Sequence, residues 1–183
     1  MEQSKGEVKI YEQGCEQFGL GQIIFGNAAM LAWIGLGTAC CWFFHPIAGW
    51  VYLAVALSMV FVVLRRLVCV NCYYYGKRCP IGWGQLVALM FKQGSMDKFA
   101  TSIGVKLAPM TYGLLSLIPI VFCIAAMVQD FKVAQPIVLV LLLAISAYSG
   151  AASRKKSCMN CKMRLMCPGS AFRDKKSVAG RGE

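Results

Sequence analysis

Four stretches of the chain contain no Lys, Arg, Asp or Glu: residues 23–44, 47–64, 107–128 and 133–152. Their polar residues do not gather on one face, so the amphipathic pattern of a helix lying on a soluble core is missing. At about 1.5 Å of rise per residue, each is long enough to cross roughly 30 Å of hydrocarbon. The pattern predicts four transmembrane helices. Short polar breaks at 44–46 and 129–132 would join them into two hairpins. A fifth apolar run lies in 81–103, where Trp83, Leu86, Leu89, Met90 and Phe91 recur near helical spacing before Lys92 and Lys98. That spacing predicts an amphipathic helix at the membrane interface.

The two halves follow one order. Each runs span, turn, span, basic cluster, then Cys-X-Asn-Cys and Cys-Pro: CVNCYYYGKRCP at 69–80 and CMNCKMRLMCP at 158–168. Pro46 and Pro136 are expected to open the returning helices, where a missing N–H costs nothing. The fold expected is therefore an all-α integral membrane protein, with four transmembrane helices as two repeated hairpins, each followed by a cytoplasmic Cys motif. Its parts are an N-terminal segment (1–22), hairpin one with its motif (23–80), the interfacial segment (81–103), hairpin two with its motif (104–168) and a basic tail (169–183). Two even-numbered hairpins insert the same way round, which puts both motifs on one side.

Composition agrees with this pattern: 58% of the 183 residues are hydrophobic and only 15% are charged. Charge sets the orientation. Of nineteen Lys and Arg, only Lys132 falls in an expected outer turn. The positive-inside rule then places both termini and the middle loop in the cytoplasm, in an inner (cytoplasmic) membrane. The net charge of +11 is accounted for by anionic headgroups, and no nucleic-acid partner is expected. The polar first seventeen residues do not resemble a cleaved signal peptide.

Cytosolic thiols are kept reduced, so clustered cysteines there read as metal ligands or redox centres. Cys69, Cys72 and Cys79 form one triplet, and Cys158, Cys161 and Cys167 the other. A closed zinc site and a [4Fe–4S] cluster both ordinarily take four ligands, and each motif offers three. Cys15 is the one further cytoplasmic thiol that could add a fourth. Iron–sulfur is favoured over zinc; Tyr73, Tyr74, Tyr75, Lys77 and Arg78 could shield an anionic cluster and donate to its sulfurs, or equally form an interfacial belt. Asn71 and Asn160 share a motif position where a short amide can support a left-handed turn. Cys40, Cys41 and Cys123 sit near outer span ends, either as small packing residues or as a soft-metal relay.

Exclusions narrow the function. His45 is the only histidine, so no haem b held by two histidines forms within the chain. No span carries an acidic residue for a proton relay. Asn27, Thr38, Thr111, Ser116, Ser146, Gly35, Gly37 and Gly113 read as helix–helix contacts, and Pro109 and Pro119 as bends. The expectation is a membrane subunit whose cytoplasmic, cysteine-ligated centres relay electrons between a soluble redox partner and the membrane, rather than a stand-alone catalyst. It would work within a larger complex or a homo-oligomer. The alternatives are a soft-metal-ion transporter using Cys40, Cys41 and Cys123, and a zinc-stapled, non-catalytic anchor.

Overall fold

The computed structural model describes residues 10–171. All regular structure among them is helical. Helix α1 is Leu20–Phe44, and α2 runs Pro46–Asn71. The short α3 is Trp83–Met90. Helices α4, Ile103–Gln129, and α5, Ala134–Met159, complete the chain. Four of these, α1, α2, α4 and α5, are long and apolar enough to span a membrane. Residues 1–9 and 172–183 lie outside the described residues, and so does most of the expected basic tail.

The long helices outrun the uncharged stretches that announced them. Helix α2 continues through Arg65 and Arg66 to Asn71, and α5 through Arg154, Lys155 and Lys156 to Met159. Hydrogen bonding, not hydropathy, sets where a helix ends, so cations in the last turns do not stop it. Each carries one π-helical segment, Ser58–Val63 in α2 and Tyr148–Ser153 in α5. Pro46 opens α2 as expected, with His45 Nδ1 accepting from the Ile47 N–H at 3.2 Å. Pro136 is the third residue of α5, not the first. That costs no bond, because the whole first turn lacks intrahelical acceptors. In the turn before it, Gln135 accepts from the Lys132 N–H and donates to the Asp130 carbonyl, each at 3.0 Å.

Helix α1 is the hub, packing on α2, α4 and α5. The core between them holds Trp33, Ile34, Tyr52, Val60, Leu115 and Leu142. Outward faces carry Ile24, Val55, Leu117, Val121, Val140 and Leu143, all exposed, as suits helices whose solvent is hydrocarbon. Two polar aromatic side chains in the bundle find internal partners, as an apolar solvent demands. Pro119 has no N–H for the Leu115 carbonyl, and the Tyr52 hydroxyl donates to that carbonyl instead, at 2.8 Å. Trp33 Nε1 donates to the Ser146 hydroxyl at 3.0 Å. Of the three glycines expected to mediate close packing, only Gly37 does so, against the Tyr52 ring; Gly35 and Gly113 have open space beside them.

Candidate metal-binding cap

The cysteine motifs begin inside the last turns of α2 and α5 and take the same turns beyond them. The Cys72 N–H donates to the Cys69 carbonyl and the Cys161 N–H to that of Cys158, both at 3.3 Å. The pattern repeats one step on, from Tyr75 to Cys72 at 3.1 Å and from Arg164 to Cys161 at 3.2 Å. It returns after the third cysteines, from Gly82 to Cys79 at 2.8 Å and from Ser170 to Cys167 at 3.0 Å. The left-handed turn expected at the two asparagines is absent. Among the described residues, positive φ belongs only to Gly76 and Gly82, where no Cβ opposes it. Asn160 instead sits at φ −100°, ψ 9°.

What joins the two motifs is the segment before α1. Residues 11–18 run between them as a strap, held largely through backbone groups. The Tyr11 N–H donates to the Lys162 carbonyl and the Cys15 N–H to the Asn160 carbonyl, both at 2.9 Å, while the Phe18 N–H reaches the Arg78 carbonyl at 3.0 Å. Tyr74 is the pin. Its side chain is 2% exposed. Its hydroxyl donates to the Cys15 carbonyl at 2.8 Å and accepts from the Lys162 N–H at 3.2 Å. Glu16 faces both motifs, accepting from Tyr73 at 2.6 Å and Lys77 at 3.3 Å, and pairing with Lys162. The Lys162 ammonium, then the Tyr73 hydroxyl and Lys77, hold its carboxyl down to about 2. The same contacts raise the pKa of Lys162, through Glu16 first, and of Lys77, through Tyr73 first.

The thiols divide by location. Seven lie in the cap, and their neighbours cross the boundary between motifs. Burial pushes the Cys72 thiol up to about 12 against a hydrogen bond from the Tyr74 backbone, with Cys69, Cys161 and Cys79 as its nearby thiols. Burial likewise lifts Cys161 to about 11, opposed by the Met163 backbone, with Cys167, Cys158 and Cys15 around it. Cys15 therefore stands with the second triplet, and its Sγ also donates to the Asn160 carbonyl at 3.1 Å. As the side chains stand, no three His, Cys, Asp or Glu groups among the described residues converge closely enough to hold one metal ion.

Two arginines border these thiols. Arg65, one turn before Cys69, is 6% exposed. Its guanidinium lies near the Cys69 thiol, approaches Met30 Sδ at 3.9 Å and lies 5.3 Å from the Trp83 ring centre. The ion pairs among the described residues involve Lys77, Lys132 and Lys162 only, so no carboxylate balances Arg65, and its Nε is buried without a partner. Arg164 stacks on Tyr11, 3.6 Å from the ring centre, with its own Nε buried and unpartnered. A desolvated cation without an anion is costly.

The sequence read the triplets and placed Cys15 among the possible ligands. It did not reveal the strap or the burial of Arg65. A signal was present for the first: Glu12 and Glu16 are two of only eight acidic residues in a chain with nineteen Lys and Arg. No protein-family model, curated protein or solved structure matches the chain.

Proposed function

We propose that the chain is an integral inner-membrane subunit built of two repeated hairpins, with both termini cytoplasmic, carrying cysteine-ligated metal centres in its cytoplasmic cap. Iron–sulfur clusters are favoured, and the role is electron relay between a soluble partner and the membrane. The matched turns around the two Cys motifs and the matched π segments support the repeat. The 18-to-1 division of Lys and Arg supports the orientation.

The observation that carries the metal reading is Arg65. A buried guanidinium with no carboxylate partner among the described residues, near Cys69, suits a site that becomes anionic, as a thiolate-ligated cluster does. Cys158, Cys161 and Cys167 with Cys15 would hold one centre. Cys69, Cys72 and Cys79 would hold the other, with one coordination position left to a non-cysteine ligand. The cluster would supply one-electron chemistry. The chain's own residues would supply burial, backbone N–H donors and a basic surface for an acidic partner protein.

Iron and acid-labile sulfide measured on anaerobically purified protein test this. The expected result is iron with equivalent sulfide, a brown colour that bleaches on reduction, and loss of about half the iron in Cys69→Ser/Cys72→Ser and again in Cys158→Ser/Cys161→Ser. Stoichiometric zinc without iron, or protein free of both, refutes it.

A further inference from the structure

The cap leaves three cysteines unused, and the fold brings all three together. Cys40 and Cys41 come from α1 and Cys123 from α4, yet each is 0% exposed within one core cluster. The Cys40 and Cys123 thiols are close neighbours where α1 packs on α4, and Cys123 Sγ donates to the Gln135 carbonyl at 3.6 Å. Tyr52, the polar neighbour on α2, has its hydroxyl committed to the Leu115 carbonyl. None of the residues forming this core cluster is charged. Cys40 lies four residues inside the end of α1 and twenty from its start. At about 1.5 Å per residue that is roughly 6 Å from the outer end and 30 Å from the cap.

We propose that Cys40 and Cys123 form a two-coordinate site for a thiophilic monovalent d10 cation, the class to which Ag(I) and Cu(I) belong. Hard cations need six or more oxygens, and zinc needs four ligands. Three ligands do not converge here, but soft ions of this class favour sulfur and are satisfied by two donors in line. Charge balance fits the surroundings. One thiol loses its proton to solvent, the other stays protonated, and M⁺ + 2 RSH → M(SR)(HSR) + H⁺ leaves an uncharged complex, the kind a dry interior tolerates. Cys40 becomes the thiolate, because Cys123 keeps an acceptor for its proton in the Gln135 carbonyl. The site is independent of the cap centres, lying some 30 Å away with no thiol between.

Silver is a redox-inert probe. Full-length protein, prepared anaerobically, is titrated with Ag(I) to saturation and the ions per chain are counted by native mass spectrometry. The expected result is one silver ion fewer in Cys40→Ala/Cys123→Ala than in the wild type, with the wild-type count in Cys41→Ala. Cys40→Ser/Cys123→Ser carries the same expectation should the alanine pair fail to fold. An unchanged count in the double variants overturns the proposal. So does a loss in Cys41→Ala equal to that in the double variant.

Discussion

Tyr74→Phe removes one hydroxyl and keeps the ring, so its packing on Phe18 (5.5 Å between ring centres) and Tyr73 (5.4 Å) survives. What is lost is the pair of bonds that pins the strap across both motifs, to the Cys15 carbonyl at 2.8 Å and from the Lys162 N–H at 3.2 Å. A buried backbone group left without a partner costs about 1–3 kcal/mol. Both bonds are only part-buried, so the low end applies: about 1 kcal/mol each, about 2 kcal/mol together. That corresponds to about a 30-fold rise in the fraction of molecules with the strap open. Amide hydrogen exchange on metal-free protein in nanodiscs reads this directly, through the Cys15 and Tyr11 amides that donate across to Asn160 and Lys162. Tyr73→Phe is the matched control, since its hydroxyl bonds the exposed Glu16 carboxylate and the Lys77 ammonium and no backbone group of the strap, and it should change exchange by less than about threefold. If the two variants exchange alike, or Tyr74→Phe exchanges as the wild type does, Tyr74 is not the pin and the strap is held otherwise.

Within the bundle, Tyr52→Phe strands the Leu115 carbonyl that Pro119 leaves open. It should lower stability in detergent by about 0.6–1.7 kcal/mol, the range for hydrogen bonds between membrane helices, read as a lowered Tm. A Cβ at position 84 would collide with the Tyr74 and Lys77 carbonyl oxygens. Gly84→Ala should therefore distort the first motif, at about 1–3 kcal/mol, and lower iron there while sparing the second. Glu16 supplies a pH signature: its folded-state carboxyl is depressed to about 2 from the usual 4.5. The contribution of the clamp is fully present above pH 4.5 and is lost as pH falls from there through 2. Exchange of the strap in metal-free Glu16→Gln should exceed wild type at pH 5 and converge with it near pH 2; a gap constant across that window contradicts the clamp.

The four long apolar helices were legible because a bilayer span imposes a requirement on composition alone, a long run without charge. Helix ends were less legible, since Arg65 and Arg154 are polar by composition and helical by hydrogen bonding. The asparagines misled because their αL tendency is modest, and Gly76 and Gly82, which adopt positive φ without penalty, stood within and just past the first motif. Gly37 was recognisable as a packing residue only in company with Gly35 and Gly113. A sequence does not reveal which side of a helix meets an aromatic ring.

The strap was illegible for a different reason, and it bears on the proposed site. Backbone groups make most of its bonds, and any residue but proline can supply them, so the segment carries little sequence signature beyond Tyr11, Cys15 and Glu16. It is also single, while the motifs are two. A lone segment cannot serve both motifs equally, whatever their resemblance. It lays its thiol beside Cys161 and its Phe18 amide against Arg78. The first motif meets Arg65 from beneath instead, a residue whose counterpart one turn before Cys158, Arg154, is exposed and bonded to the Gly169 carbonyl. Two triplets with the same turns thus sit in different fields, one with a fourth thiol at hand and one with a buried cation. Centres formed on them would differ in ligand number and in charge compensation, the two levers that separate reduction potentials, and unequal potentials are what gives an electron relay its direction.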